Sequence, residues 1–176
     1  MTEQSFLYFD KMDSPIGPLT IVATVNGVCF IHFGSNECTL PSIKAWMKKH
    51  GIKGELELQP ERILPVIEQL KEYFNGSRQT FDLPIDLYGT PFQKRVWEAL
   101  QKIEYGSTKS YKEIALDIGA PQAVRAIGGA NNQNPLPIIV PCHRVIGSNG
   151  AMVGYGGGLD KKERLLNIEG SIEKIS

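Results

Sequence analysis

The sequence predicts an α/β protein in two parts: an N-terminal sheet with helices, and a C-terminal, mostly helical part that contains a helix-turn-helix. Two observations predict this division. Apolar residues alternate beside Asn26-Gly27, a dipeptide typical of tight β-hairpin turns. After the extended stretch "DLPIDLYG", apolar residues instead recur at helical spacing behind repeated helix-capping signals. We therefore expect one domain at 1–85 and a second at 86–176.

The N-terminal part is expected to contain a hairpin and two helices. Leu19–Val25 and Val28–Phe33 are the two strands of the hairpin. The stretches "TLPSIKAWMKKHG" and "ERILPVIEQLKEYFNG" each have one apolar face at helical spacing. Pro41 is placed in the first turn of the first helix, where proline is tolerated. The stretch "QTFDLPIDL" predicts a strand followed by an extended linker.

The first helix of the C-terminal part is predicted by its cap. Thr90 is the expected N-cap, Pro91 the first helical residue, and Gln93 the partner of Thr90 in a capping box. Trp97 lies beside the apolar stripe of this helix and is expected in the core. The stripe itself consists of Phe92, Val96, Ala99 and Ile103.

Two short helices follow, and together they are a helix-turn-helix candidate. Ser110 and Glu113 form a second capping box, and Gly119 is expected to end that helix in a left-handed conformation. Pro121 can start the next helix after a very short turn. Such a pair is typical of DNA-binding proteins, but any corner of two packed helices has the same pattern.

The second helix of this pair has a face of small residues with one long cation, Arg125. Its two adjacent glycines are expected to weaken or end it. One interpretation is close packing against a neighbouring helix. The other is insertion into a nucleic-acid groove, with Arg125 reaching inward. The small residues are Ala123, Ala126, Gly128, Gly129 and Ala130.

The end of the chain is expected to hold an extended stretch, a glycine-rich loop and a final helix. The extended stretch is "NPLPIIVP", and the loop is "IGSNGAMVGYGGG". The helix is predicted over 160–169, with Asp160 and Glu163 as its caps.

Composition and charge exclude several classes of protein. The net charge of the 176 residues is zero, so a strongly basic nucleic-acid binder with a long electrostatic footprint is not expected. No apolar run approaches a membrane span, and the N-terminus has no signal-peptide pattern. We therefore expect a cytoplasmic protein without a membrane partner.

Three cysteines with no regular spacing argue for reduced thiols. One candidate zinc set consists of Cys29, His32, Cys38 and His50. Residues three apart in a strand point to opposite faces, so Cys29 and His32 are not expected to share an ion. We expect a buried Cys29, no metal and no cofactor.

The stretch "PCHRV" places a thiol, an imidazole and a guanidinium side by side at Cys142, His143 and Arg144. A nucleophilic thiol needs a base or a cation nearby. Neighbours in a strand point to opposite faces, so cooperation requires a turn or a bridging water. The sequence leaves open a nucleophile, or a buried thiol with the other two side chains in solvent. Glu169 is the favoured carboxylate to orient His143, and the alternatives are Glu163 and Glu173.

The segment "NPLPIIVPCHRVIGSNGAMVGYGGG" resembles the active-site segment of the O6-alkylguanine-DNA alkyltransferases, also called methylated-DNA–protein-cysteine methyltransferases. "SYKEIA…GAPQAVRAIGGA" is similar to the helix-turn-helix of that family, and the final helix ends in its Leu-Leu-x-x-Glu-Gly pattern. The resemblance covers about 88–170. It implies a ribonuclease-H-like N-terminal α/β domain and a winged-helix-like C-terminal domain.

The resemblance also implies a role for each matching position. Cys142 would accept the alkyl group, His143 would relay the thiol proton through a water, and Glu169 would hold His143 in the required tautomer. Asn134 would brace the active-site segment. Tyr111 would donate to the departing guanine.

Further positions would bind the substrate and the DNA. Arg125 would fill the gap left by a flipped nucleotide, while Val145 and Gly156 would present backbone groups to the base. Tyr155 would line the pocket, and Pro137 would form a wall of it. The small residues expected against the DNA are Ala123 and Ala126.

The implied activity is irreversible repair of O6-alkylguanine, and of O4-alkylthymine, in double-stranded DNA by a monomer that works from the minor groove. Three other functions stay open on the sequence. A recognition module would bind alkylated DNA without reacting. A transcriptional regulator would bind undamaged DNA and be indifferent to Cys142→Ala. A thiol hydrolase would turn over after a burst and would not depend on Arg125.

Overall fold

The computed structural model describes residues 6–152, 155 and 157–171. It forms two compact units, and the chain passes from the first to the second between Tyr88 and Gly89. The first unit contains β1 (Phe6–Met12), β2 (Leu19–Thr24), β3 (Gly27–Phe33), α1 (Thr39–Lys49), β4 (Glu55–Leu58) and α2 (Pro60–Phe74). The second contains α3 (Pro91–Gln101), β5 (Lys109–Ser110), α4 (Tyr111–Asp117), α5 (Val124–Asn132), β6 (Val145–Ile146) and α6 (Leu159–Ile168). No helix in the described ranges is long and apolar enough to cross a membrane.

The first unit is built on a four-stranded sheet in the order β3-β2-β1-β4. The predicted hairpin of β2 and β3 is confirmed, and β1 pairs antiparallel with β2 and parallel with β4. The predicted alternation along β2 is wrong, because this central strand is buried on both faces from Leu19 to Ala23. Val25 is 76% exposed because it follows the strand.

The two N-terminal helices are confirmed, and they cover the sheet with their apolar faces. Ile43 and Met47 of α1 join one core cluster with residues of the sheet. Strands β1 and β4 were not predicted. The burial of β1 does not alternate regularly, and β4 is four residues long with both ends exposed. Neither strand therefore has the period-two pattern that identifies a strand in sequence.

The strand predicted in "QTFDLPIDL" is wrong. The stretch makes one isolated bridge, from Ile85 to Val28. Val28 donates to the carbonyl of Pro84 at 3.0 Å and accepts from the amide of Asp86 at 2.9 Å. A proline has no N–H to continue a ladder, which limits the pairing.

Gly27 allows this linker to lie against the hairpin turn. A Cβ atom on Gly27 would lie 2.5 Å from the Pro84 carbonyl oxygen, and the φ of Gly27 is +153°. Any larger residue would therefore push the linker away from the sheet.

The second unit begins with α3, where the predicted capping box of Thr90 and Gln93 is confirmed. Trp97 lies in the core as expected. Its Nε1 donates to the carbonyl of Ala130 on α5 at 2.8 Å. The indole therefore fixes α3 against α5 by a directed contact as well as by apolar burial.

The predicted helix-turn-helix corresponds to α4 and α5. The capping box of Ser110 and Glu113 is confirmed, and Gly119 has a φ of +71°. The predicted start of the second helix is wrong: Ala123 is its N-cap, and its helical residues begin at Val124. The residues between Gly119 and Val124 form the turn instead of the first helical turn. In it, the amide of Ala123 donates to the Ala120 carbonyl at 2.9 Å.

The same helix also runs further than predicted, through both glycines to Asn132. Ile127 and Ala130 are buried on either side of the glycine pair. Tertiary packing of this inner face overrides the low helix propensity of glycine.

The prediction that the stretch "NPLPIIVP" is extended is wrong. Asn134 donates through Nδ2 to the Val140 carbonyl at 2.8 Å, and its Oδ1 accepts from the Leu136 amide at 3.0 Å. Ile138 has a φ of +77°, a left-handed conformation that is rare for a β-branched residue. A compact turn therefore leads into the cysteine.

The final helix is confirmed, but its predicted caps are wrong. Gly158 is the N-cap, and no side chain caps the helix. The helix begins at Leu159, so Asp160 lies inside its first turn. An acidic side chain there still interacts favourably with the helix dipole.

Candidate active site

Cys142 begins a short 3-10 turn, Cys142–Arg144, that follows the compact turn described above. Its side chain is buried, with 4% of the residue exposed. Arg144 donates its amide to the Pro141 carbonyl at 3.0 Å and closes the turn. Cooperation between neighbours in "PCHRV" required a backbone turn, and this turn is present.

The imidazole of His143 and the carboxylate of Glu169 are brought together across 26 positions in sequence. His143 Nε2 lies 2.7 Å from Glu169 Oε2, and both side chains are fully buried. Glu169 is the first residue after α6, so this helix positions it. Of the two alternative carboxylates, Glu173 lies outside the described residues, and Glu163 lies in α6.

Arg144 also binds Glu169, which sequence reasoning missed. Its Nε donates to Glu169 Oε1 at 2.8 Å, and its Nη2 donates to Oε2 at 3.0 Å. Its Nη1 donates to the carbonyl of Ile103 at 2.6 Å. The two-point contact compensates the buried carboxylate charge. The alternative in which His143 and Arg144 face solvent is therefore wrong.

The environment keeps His143 neutral. Burial lowers the pKa of His143, and the hydrogen bond and charge of Glu169 oppose that change in part. The neutral ring donates from Nε2 to Glu169, so Nδ1 carries the lone pair. In the described part of the chain, Nδ1 has no hydrogen-bond partner. This nitrogen can therefore accept a proton.

The thiol of Cys142 is protonated in its resting environment. Burial raises the pKa of Cys142 to about 11, while a hydrogen bond from Asn134 and the charge of Lys162 act in the opposite direction. Because only the thiolate is a good nucleophile, attack by Cys142 at neutral pH requires a base.

Tyr111 and Tyr155 both lie close enough to Cys142 for its charge to affect them. Burial is the main cause that raises the pKa of Tyr111, followed by Cys142. The same two causes raise the pKa of Tyr155 well above its usual value. Both phenols are therefore protonated at neutral pH and able to donate.

Lys162 is a second residue that sequence reasoning missed. It lies on the inner face of α6, fully buried, and its Nζ donates to the carbonyl of Val145. Burial lowers the pKa of Lys162 to about 8. The Val145 carbonyl therefore already has one donor within the protein. Pro137 is buried in the turn before Cys142, and Gly156 lies outside the described residues.

The outer face of α5 carries Arg125 and Ala126, which are exposed, while Ala123 at its N-cap is half-buried. Ala130 does not belong to this face, because its side chain is buried with that of Ile127 in the interior of the second unit. The exposed face is therefore narrower than the small-residue pattern predicted. It still presents one long cation beside small residues.

The other two cysteines lie in the first unit. Cys29 is buried, as expected, and Cys38 is exposed. Within the described ranges, no group of three or more His, Cys, Asp or Glu residues is placed to hold a metal ion.

Comparison with known proteins matches both units. A family model described as "6-O-methylguanine DNA methyltransferase, ribonuclease-like domain" matches residues 7–87. The corresponding "DNA binding domain" matches residues 91–171. The methylated-DNA–protein-cysteine methyltransferase of Methanosarcina barkeri is 44% identical over 165 residues, which cover 93% of this chain and 97% of that protein. The protein of the same name from Bacillus subtilis, called constitutive, is 40% identical over 164 residues, with coverage of 92% and 94%.

Solved structures match as well. The structure of Mycobacterium tuberculosis OGT in complex with DNA is 42% identical, with a TM-score of 0.79 and coverage of 94% of this chain and 93% of that chain. The O6-methylguanine-DNA methyltransferase of Pyrococcus kodakaraensis is 30% identical, with a TM-score of 0.65 and coverage of 93% and 99%.

Fold, site and matches together define a DNA-binding methyltransferase of the DNA-repair class. The chain belongs to the 6-O-methylguanine DNA methyltransferase family, whose curated members are named methylated-DNA–protein-cysteine methyltransferases. The predicted family, fold class and type of enzyme are confirmed, and DNA is its partner.

Proposed function

We propose that this chain removes the alkyl group from O6-alkylguanine in double-stranded DNA and binds it permanently to Sγ of Cys142. The bond from the alkyl carbon to O6 breaks, and a bond from that carbon to sulfur forms. The thiol loses its proton to a basic side chain of the protein, and the released guanine gains one proton on its ring. The observation that carries this proposal is the buried contact of His143 with Glu169, one residue from a buried thiol in a DNA-binding unit.

His143 is the base in this mechanism. Its Nδ1 takes the thiol proton through a water, as Glu169 holds Nε2–H and stabilises the imidazolium that forms. Arg144 holds Glu169 in place by two hydrogen bonds. Asn134 and Lys162 stabilise the thiolate, since both favour the charged form of Cys142.

Tyr111 acts on the leaving group. The departing guanine develops negative charge as the bond to O6 breaks, and the phenol donates to it. Tyr155 and Pro137 form walls of the pocket. Val145 and Gly156 present backbone groups to the base.

The DNA must deliver the base to this buried thiol. O6 of a stacked guanine is inaccessible, so the nucleotide is extruded at a cost of a few kcal/mol. We propose that α5 enters the minor groove with Ala123 and Ala126 against the backbone, and that Arg125 fills the gap in the stack. The exposure of Arg125 and Ala126 supports this assignment.

The product is a thioether, which water does not cleave, so each molecule acts once. We further propose that O4-alkylthymine is a second substrate, and that the protein acts as a cytoplasmic monomer with its DNA-binding function in 86–176.

The test is an intact-mass spectrum after incubation with excess duplex that carries one O6-methylguanine. We expect a gain of one CH₂ unit per protein, mapped to the peptide that contains Cys142. Cys38→Ser is the matched control, since it removes an exposed thiol and should leave the gain unchanged. Cys142→Ser should abolish the gain and keep DNA binding.

Two outcomes would contradict the proposal. Continued release of guanine beyond one equivalent would indicate turnover. Tight binding of the alkylated duplex by the wild type, with no gain in mass, would indicate a recognition module.

A further inference from the structure

Asn131 is a buried polar residue at the end of α5. Only 2% of it is exposed, and its Nδ2 donates to the carbonyl of Cys142 at 3.3 Å. A buried amide needs partners to offset its desolvation. This contact joins α5 directly to the turn that carries the thiol.

The same face of α5 contacts Tyr111. Gly128 lies three residues before Asn131, and positions three apart share one face of a helix. A Cβ atom on Gly128 would lie 4.0 Å from Cε1 of Tyr111, so the aromatic ring lies along this face. The Tyr111 side chain is also hydrogen-bonded to Asn131. The amide therefore lies between the phenol and the Cys142 carbonyl.

The contact at Cys142 determines which way the amide faces. A carbonyl oxygen can only accept, so the NH₂ group of Asn131 must point at it. Rotating the amide by a half turn would place two acceptor oxygens face to face. The hydrogen bond from Asn131 also lowers the pKa of Tyr111 against the effect of burial, as expected for a donor to the phenolic oxygen.

In this orientation the Asn131 amide does not accept the phenolic proton. A phenol has one proton, and if Oδ1 of Asn131 accepted it, that proton would be withheld from a substrate. In the described part of the chain, Oδ1 is buried and has no hydrogen-bond partner. The amide therefore holds the phenolic oxygen and directs its proton elsewhere.

We propose that Asn131 is a positioning residue for alkyl transfer: its amide donates to Tyr111 and to the Cys142 carbonyl, and so aims the phenolic proton at the departing base. The inference rests on the proposed function, because it assigns Tyr111 to the leaving group. Asn131 itself touches neither the alkyl group nor the base.

The test is a double-mutant cycle on the rate of a single turnover at saturating O6-methylguanine duplex. We expect Tyr111→Phe to slow transfer about 100-fold, the low end for a general acid, and Asn131→Ala to slow it about tenfold. The double variant should react within about twofold of Tyr111→Phe, because Asn131 has nothing left to position. Asn132→Ala, an exposed amide on the same helix, should react like the wild type.

Equal slowing by Asn131→Ala in both backgrounds would overturn the inference, since a loss of structure acts regardless of Tyr111. So would a wild-type rate for Asn131→Ala or for Tyr111→Phe. If Asn131→Ala does not fold, the same double-mutant cycle can be measured with Asn131→Leu, which removes the amide but fills the space of the side chain.

A second measurement separates this inference from the proposed function. Ultraviolet titration of the free protein should show a higher pKa for Tyr111 in Asn131→Ala than in the wild type, because the donor is gone. An unchanged pKa would overturn the inference. A wild type that gains no methyl group would instead overturn the proposed function.

Discussion

At the scale of single residues, the site depends on how a buried carboxylate is compensated. An isolated ionised carboxylate in the interior costs several kcal/mol, and removing one partner of a buried pair typically costs about 3–5 kcal/mol. Glu169 accepts one hydrogen bond from His143 and two from Arg144. The two hydrogen bonds from Arg144 fix this carboxylate in position, where it can stabilise a protonated imidazole.

Removing the base should expose the high pKa of the thiol. At pH 7.5, we expect His143→Ala to slow transfer about 100-fold. Its rate should then rise about tenfold per pH unit, because it follows the thiolate fraction up to the Cys142 pKa of about 11. This is checked by measuring the single-turnover rate, from the mass of the alkylated peptide, at pH values between about 6 and 10.

The wild type should behave differently in the same assay. Burial lowers the pKa of His143, so the base is already neutral at pH 7.5 and the rate should be flat above it. The rate should fall only in acid, as the imidazole becomes protonated. A His143→Ala profile parallel to that of the wild type would remove His143 from the mechanism.

Arg125 should affect the rate of alkyl transfer only when the substrate nucleotide has to be extruded from a DNA duplex. We expect Arg125→Ala to slow reaction with duplex DNA about tenfold or more, because the vacated stack is no longer filled. Reaction with the free base O6-benzylguanine should stay within about twofold of the wild type. Lys112→Ala, an exposed cation on α4, is the matched control for lost charge. Equal slowing on both substrates would contradict the assigned role.

Sequence reasoning identified the residues of the site whose chemistry is visible in their type, and it missed those defined by burial. Cys142, His143 and Glu169 were found because a thiol next to an imidazole raises the question of a carboxylate. The buried contacts of Arg144 were missed, and so was Lys162, since lysine and arginine are rarely buried and nothing local predicts that they are. Their contacts are with residues far away in sequence, at Ile103 and Val145.

At the scale of elements, features that depend on contacts between near neighbours in sequence were predicted correctly, whereas features that depend on more distant contacts were not. Both capping boxes were predicted, since each is a contact between residues three apart. The start of α5 and the form of "NPLPIIVP" were predicted wrongly. The first depends on the turn before the helix, and the second on the Asn134 side chain, which bonds to the backbone on both sides of the turn.

The two capping boxes offer a matched pair of substitutions. Ser110→Ala and Thr90→Ala should each lower the free energy of unfolding by about 1 kcal/mol. Only Ser110→Ala should also slow alkyl transfer, because Ser110 caps the helix whose first residue is Tyr111. Thermal melts and single-turnover rates of both variants test this. A similar loss of rate in Thr90→Ala would show that stability alone controls the reaction.

At the scale of the whole molecule, charge limits how the protein holds DNA. The net charge is zero, and residues 86–176 carry 11 basic against 9 acidic side chains. Arg144 and Lys162 are buried, and Lys109 is paired with Asp117 at 2.6 Å. These three cations are therefore less available to phosphates, and the remaining ones are nearly balanced by acidic side chains in the same region.

Binding of DNA should accordingly depend only weakly on salt. We expect the logarithm of the association constant to fall with a slope of about −4 or shallower against the logarithm of salt concentration, which corresponds to about four neutralised phosphates. Fluorescence anisotropy of Cys142→Ser with a labelled duplex at several salt concentrations measures this slope. A slope steeper than about −7 would indicate a larger electrostatic footprint than the charge allows.

The double contact of Glu169 has a consequence for how such a chain can change under selection. Because Arg144 depends on the carboxylate for its burial, Glu169 would be retained even in a descendant that no longer repairs DNA. The Asn134 amide that reaches the sulfur of Cys142 is also held by the Val140 carbonyl and the Leu136 amide, so a descendant without the chemistry could lose the thiol and keep the turn. In a related sequence, the cysteine therefore reports activity, and the glutamate reports only ancestry.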